Sequence, residues 1–349
     1  MISFYPGPSK VYEQIPEYVQ DAYNEGIVSI NHRSEDFVSI SQKTIHLLKE
    51  KIAIPDDYTI FFVSSATECW EIIAQSLIKN KSRHYFNGAF GRKWHEYTQK
   101  LSISAEEVSF QIENALLPKK NDADVICITQ NETSNGTAVS NEIIAEVKQK
   151  NPDAIIAIDA TSSMGGVALN FQNADVWFAS VQKCFGLPAG LAIMACSPRA
   201  IERSIKLNRN KNYNSLTFMI EKMKDFQTTY TPNVLSIYLL MRTLMPREPI
   251  AIIDTQLKTR HHQWVAKLNS LNGLNHLIKN KKVHSTTVIP VISTADQIKQ
   301  IKLKAKSEGF LLGNGYGNWS ETTFRIANFP AITDEEINNL QALLFQILQ

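Results

Sequence analysis

The sequence predicts an α/β protein, with a mostly parallel mixed sheet in a large domain and a smaller α+β domain after it. Three observations carry this. Short apolar runs alternate with helical stretches from about residue 39 to 200, the rhythm of a layered α/β sheet. The chain changes character after Pro232, where long helical patterns take over. Its 349 residues fit about two domains at ~150 residues each.

The elements follow in order. Strands are expected at 58–63, 125–129, 155–159, 176–179 and 191–195. These runs are rich in Ile, Val and aromatics and show no polar alternation, as strands buried on both faces do. Between them, 68–79 and 142–150 carry apolar residues at helical spacing, such as Ile72, Ile73 and Leu77. Beyond Pro232, 233–245 and 250–271 read as long helices, with strands following at 283–291 and 323–327. The boundary falls near 235–245. A large domain at 15–240 and a small one at 1–14 with 241–349 are expected, the patternless first ~15 residues packing against the second unit. Trp70, Ile73 and Leu77 read as core. His261-His-Gln-Trp264 reads as helix surface, since it lacks the acidic partners of a metal site.

Composition excludes several classes. At 44% hydrophobic and 20% charged, the chain is globular, not disordered. Lys and Arg number 36 against 34 Asp and Glu, a net +2, too balanced to make nucleic acid or an anionic membrane the default partner. Lys279, Lys281 and Lys282 read as a solvated face. No apolar run approaches the ~20 residues of a membrane span, and the start, with Pro6 and Pro8, has no apolar signal region. Cys69, Cys127, Cys184 and Cys196 form no CxxC pair and no metal-ligand spacing. They read as reduced, buried thiols of a cytoplasmic protein, and no metal is expected.

In open α/β sheets ligands bind outside the carboxyl ends of the strands, so the polar residues just after each apolar run are informative. Lys183 follows the run 176–179 in a Gly/Pro-rich loop. It reads either as a snorkelling surface lysine or as an amine whose partial desolvation lowers its pKa for a Schiff base with an aldehyde cofactor. Asp159 ends an apolar strand, where a carboxylate is costly without a partner. That partner is either a helix or turn N–H or the ring nitrogen of pyridoxal phosphate (PLP). The two residues lie 183 − 159 = 24 positions apart, one strand-plus-crossover unit, so they can end adjacent strands and face one cofactor. Ser64-Ser-Ala-Thr-Glu68 opens a helix, either as a cap alone or as an anion site. Arg325, inside an apolar strand, suits either a structural ion pair or a two-point clamp on a carboxylate.

Further motifs sharpen this. Phe4-Tyr-Pro-Gly-Pro8, Asn31-His-Arg-Ser34 with Phe37, Asn87-Gly-Ala-Phe90 and Asn131-Glu-Thr133 occur in the same order as in one known family. With Asp159, Lys183 and Arg325, the set resembles the class V, fold-type I PLP-dependent aminotransferases over nearly the whole chain. Within that class the first hundred residues are most similar to phosphoserine aminotransferases.

The resemblance implies these roles. Lys183 would condense with the cofactor aldehyde and shuttle the substrate's proton, and Asp159 would pair with the ring nitrogen. Phe90 would stack on the ring and Thr133 would hydrogen-bond its 3′ oxygen. Ala66, Thr67 and Gln182 would hold the phosphate, joined by Tyr230 and Thr231 of a neighbouring subunit in an obligate homodimer with shared sites. Arg325 would bind the substrate's α-carboxylate, and His32 and Arg33 would face its distal anionic group.

The sequence also departs from that subgroup. No second His-Arg pair is present between Gly309 and Arg325, where Asn318 and Trp319 stand by spacing. Gln-Lys-Cys-Phe-Gly-Leu-Pro-Ala-Gly-Leu191 and Leu312-Gly-Asn-Gly-Tyr-Gly317 look more like alanine–glyoxylate and serine–glyoxylate aminotransferases. Because the first hundred residues fit that subgroup best, the expected activity is phosphoserine:2-oxoglutarate transamination. The alternatives are a transaminase of small amino acids and a PLP-binding protein without turnover.

Overall fold

The apolar runs assemble edge to edge. In the computed structural model, which describes residues 1–271 and 273–348, the strands are β1 (Ile2–Phe4), β2 (Thr59–Val63), β3 (Lys81–Phe86), β4 (Ser104–Ser109), β5 (Val125–Thr129), β6 (Asn131–Glu132), β7 (Thr137–Ala138), β8 (Ile155–Asp159), β9 (Val176–Ser180), β10 (Ala192–Cys196), β11 (Asn275–His276), β12 (Val288–Ile292), β13 (Phe310–Asn314) and β14 (Thr323–Ala327). One sheet runs β2-β10-β9-β8-β5-β3-β4. Its ladders are parallel from β9 through β8, β5 and β3 to β4, and β10 is antiparallel to both β9 and β2. Reversing β10 alone leaves β2 pointing the same way as the other five. Their carboxyl ends therefore share one edge.

The central strands β5, β8, β9 and β10 are buried at every residue. Helix packing on the faces explains this: Trp70, Ile73 and Leu77, from the helix Ala66–Leu77, lie within the same apolar cluster as these strands. A second sheet runs β1-β13-β14-β12-β11, with its own apolar cluster that includes Phe4, Trp264 and Phe324. β1 joins it by pairing in parallel with β13, Phe4 opposite Leu312. Cys69, Cys127, Cys184 and Cys196 are free and buried. Among the described residues no helix is long and apolar enough to cross a membrane.

Three readings of the sequence are corrected. The run 283–291 is not one strand: Lys281–Val283 forms a 3-10 turn, and pairing starts only at Val288. Ser285 explains the break, because its hydroxyl accepts from the N–H groups of Thr287 and Val288 and holds a bend. The sequence reading gives no strand at β1, β3, β4, β6, β7, β11 or β13. β4, at the sheet edge, shows the polar sequence SAEEVS and buries no residue fully. The helix Ile250–Asn269 is present, but His261 and Trp264 face inward, 5% and 0% exposed, rather than to solvent.

Candidate active site

The common strand edge is where polar groups gather. Asp159 is the last residue of β8 and lies opposite Thr129 on β5 and Phe178 on β9. Ser180 ends β9. After β2 the chain turns through Ser64 and Ser65 into the helix Ala66–Leu77. The Ser65 hydroxyl caps it by accepting from Glu68 N at 3.1 Å. Ala66 N donates to Ser180 Oγ at 3.0 Å, which fixes this amino terminus against the sheet. A helix start held there presents N–H groups and positive dipole to whatever sits above the edge.

Helix Ala89–Lys100 reaches the same place by a different device. Its N-cap is Gly88, which has no side chain to cap with. Glu132 supplies the missing acceptor from across the hairpin: its Oε2 accepts from Phe90 N at 3.1 Å and Gly91 N at 3.2 Å. A Cβ on residue 88 would lie 2.3 Å from Glu132 Cγ, so glycine is required. Burial pushes the Glu132 carboxyl pKa up, and the hydrogen bonds from Ser134 and Gly91 oppose that rise. The result is a fixed Phe90 ring, 5.3 Å from the Lys183 amine.

Lys183 is 7% exposed. Its Nζ donates to Ser162 Oγ at 3.1 Å and to Thr133 Oγ1 at 3.2 Å. Burial lowers its pKa to about 8, with Asp159 pulling the other way and Arg325 adding to the fall. Asp159 Oδ1 accepts from Thr161 N at 2.9 Å and its Oδ2 from Trp70 Nε1 at 3.3 Å. Burial raises its pKa, countered by Thr161, Lys183 and Trp70. A buried carboxylate and a buried, easily deprotonated amine thus share one cavity of ≈280 Å³. Gly7 packs on the lysine. Its φ is +140°, and a Cβ there would fall 2.5 Å from Lys183 Cε.

Of the residues singled out in the sequence, Ala66, Thr67, Phe90, Thr133, Asp159, Gln182 and Lys183 line this cavity together. Arg325 lies beside it, donating from Nη1 to Thr133 O at 2.6 Å and from Nε to Asn314 O at 2.7 Å. Its guanidinium stands 5.6 Å from the Tyr316 ring centroid and keeps further N–H donors. Four residues are not brought to the cavity within one chain. Arg33 is exposed and donates to Gln227 Oε1 at 2.8 Å, and His32 packs edge-on against Phe37. Tyr230 packs on Tyr213, and Thr231 is exposed next to it.

Trp70, read as core, also lines the cavity and holds Asp159. Its signal was its place four residues after Ala66, one turn along the same helix face. Lys93, Thr129, Asn131 and Thr161 line the cavity too. Thr129 Oγ1, Asn131 Oδ1, Thr161 Oγ1 and Gln182 Oε1 are buried without a hydrogen-bond partner. Four such orphans around one cavity are what a polar ligand would satisfy.

Comparison with known proteins gives a family and a fold. The family described as Aminotransferase class-V matches residues 6–88 and 93–309. A phosphoserine aminotransferase of Rhodococcus opacus is 26% identical, covering 96% of this chain and 91% of that protein. The crystal structure of a phosphoserine aminotransferase from Cytophaga hutchinsonii superposes with a TM-score of 0.94 at 32% identity, covering 99% of this chain and 98% of the other. An alanine–glyoxylate aminotransferase from Nostoc shares the fold, with a TM-score of 0.85 at 17% identity over 100% of this chain and 95% of its own.

Proposed function

The chain belongs to the class-V aminotransferases, and from that premise we propose that it moves the amino group of phosphoserine to 2-oxoglutarate in the cavity around Lys183 and Asp159. One observation carries the reading: the buried Lys183 amine, its pKa lowered to about 8, shares that cavity with the buried Asp159 carboxylate.

The cofactor is pyridoxal phosphate, and the cavity residues fit it. The orphaned Thr129, Asn131, Thr161 and Gln182 atoms offer polar contacts, the helix start at Ala66 suits a phosphate, and the Phe90 ring offers a flat apolar face. When bound, the cofactor supplies an electron sink for the bond broken at the substrate's α-carbon.

The remaining work falls to this chain's side chains. Lys183 would hold the cofactor's aldehyde carbon through Nζ. Once the substrate's amine has displaced it, the freed amine, with a pKa lowered to about 8, would carry the proton between the substrate's α-carbon and the cofactor's C4′. Asp159 keeps a positive ring nitrogen in place, and Thr161 N and Trp70 Nε1 hold its oxygens. Phe90 would stack on the ring, Thr133 would bond the 3′ oxygen, and Ala66, Thr67 and Gln182 would take the phosphate. Arg325 clamps the α-carboxylate with the N–H groups its two backbone bonds leave over.

His32, Arg33, Tyr230 and Thr231 enter this reading from a second copy of the chain. None of the four lines the cavity of its own chain, which suits a homodimer with shared sites. In the same reading, residues 15–240 form the cofactor-binding unit, and 1–14 with 241–349 form the small one.

Phosphoserine is supported by the likeness to the Cytophaga hutchinsonii enzyme along the whole chain. Lys93, whose Nζ donates to Tyr316 OH at 3.2 Å on the cavity rim, adds a cation for a distal phosphate. A second reading, a transaminase of small amino acids, is favoured by the uncharged, exposed Asn318 before Arg325. A panel of amino donors against 2-oxoglutarate, pyruvate and glyoxylate decides between them. The proposal requires phosphoserine with 2-oxoglutarate to give the highest kcat/KM; alanine or serine with glyoxylate ahead of it would install the second reading.

A further inference from the structure

Three histidines far apart in sequence meet away from the active-site cavity. His261 comes from the helix Ile250–Asn269, His276 from β11, and His284 from the segment after the turn Lys281–Val283. One ring nitrogen from each lies within 4.8 Å of the other two. The His276 and His284 rings stack with centroids 3.8 Å apart, and His261 stands edge-on to both, 5.4 Å from His284 and 6.2 Å from His276. His261 is 5% exposed.

The hydrogen bonding of these rings is incomplete. His261 Nε2, His276 Nε2 and His284 Nδ1 are all buried with no partner. The opposite nitrogens of two rings face one residue: His284 Nε2 lies 2.9 Å from Ile278 O, and His276 Nδ1 either accepts from Ile278 N at 3.1 Å or, in the tautomer that leaves Nε2 a lone pair, donates to Ile278 O at 2.9 Å. A carbonyl only accepts, so His284 carries its proton on Nε2 and keeps a lone pair on Nδ1. Ring packing alone would leave three buried polar atoms unpaid in hydrogen bonds, which folded proteins rarely tolerate. A carbonyl behind a ring, with a free lone pair in front, is the arrangement that orients a metal-binding imidazole.

We propose that His261, His276 and His284 form a tri-imidazole site for a divalent transition-metal ion of the Zn²⁺ type. Three nitrogen donors select that class over Mg²⁺ or Ca²⁺, which take oxygen ligands. Metal–nitrogen bonds of ~2.0–2.1 Å in a tetrahedron place ligand nitrogens roughly 3.4 Å apart, so binding draws the three rings together. A cavity of ≈310 Å³ beside His261 and His284, also lined by His262 and Lys281, leaves the fourth position to water. The ion would fasten the helix, β11 and the segment after the turn to one another. That segment reaches the active site's hairpin, since His284 bridges Thr137 and Ser285 N donates to Gly136 O at 2.8 Å. The ion's role is therefore a structural clamp behind the residues that carry Asn131 and Thr133.

The test uses the full-length protein loaded with cofactor, stripped with EDTA and titrated calorimetrically with Zn²⁺. The wild type and a control, His46→Gln, on an exposed helix face, should each bind one equivalent and melt at a higher temperature when loaded. His261→Gln and His284→Gln should each weaken that binding about 100-fold or more, with transaminase activity in EDTA unchanged. Absence of saturable binding to the wild type, or equal binding by both variants, overturns the proposal. Should a variant fail to fold, Co²⁺ in the wild type answers the question by X-ray absorption. A first shell with three imidazole nitrogens supports the site, and a shell with sulfur or without imidazole refutes it.

Discussion

Trp70 Nε1 donates to Asp159 Oδ2 at 3.3 Å, joining a helix residue to a strand end 89 positions away. With Thr161 N on the other oxygen, it fixes the plane of the carboxylate. A net hydrogen bond of this kind contributes about 1 kcal/mol. Trp70→Phe keeps a ring in the cavity wall and removes the donor. It should lower kcat about fivefold and stability by about 1 kcal/mol or more, measured by steady-state kinetics and urea midpoints. An unchanged kcat would show that Thr161 alone holds Asp159.

The pH dependence of cofactor capture follows from Lys183. In the proposed role the neutral amine is the nucleophile, and burial lowers the pKa to about 8, against ~10.4 for an ordinary lysine. Stopped-flow absorbance of the cofactor-free protein mixed with pyridoxal phosphate should show a rate that climbs with pH through about 8 and then levels. Asp159→Asn removes the charge that opposes the fall, so its midpoint should lie lower still. A midpoint near 10 in the wild type would contradict a desolvated amine.

Glu132 tests the scaffold. It caps Phe90 N and Gly91 N and also accepts from Ser134 N at 2.9 Å and Ser134 Oγ at 2.6 Å. Glu132→Ala leaves these buried donors unmet and should cost about 2–4 kcal/mol, read from denaturant midpoints. A change below about 0.5 kcal/mol would mean that the helix start at Ala89 needs no cap.

Much of this was legible beforehand, and the reasons differ by residue. Strands β5 and β8 match the sequence reading residue for residue, because strands buried on both faces are written as unbroken apolar runs. Asp159 and Lys183 stood out as polar residues just past such runs. β3, KSRHYF, is largely buried, but its first four residues are polar, so it carries no such run. Trp70 is core, as its helical spacing predicts, but that spacing does not say that the same residue also meets a cavity. His261 and Trp264 face inward rather than to solvent because tertiary packing covers that side of the helix Ile250–Asn269, and the companions of His261 at 276 and 284 follow no local spacing.

Arg33 tests the shared site. In this structure its guanidinium is exposed and tied to Gln227. If a second copy uses it to grip the distal phosphate, Arg33→Ala should lower kcat/KM for phosphoserine at least about tenfold and leave alanine nearly untouched. Equal losses for both donors would count against a phosphate-reading Arg33 and, with it, phosphoserine as the substrate.

The most direct test is to reduce the cofactor-loaded protein with borohydride, digest it, and locate the pyridoxyl group by mass spectrometry. A single modified site at Lys183, absent from Lys183→Ala, which should also lose about 10³-fold or more in kcat, is the predicted result. A pyridoxyl group on any other lysine, or on none, would contradict the account.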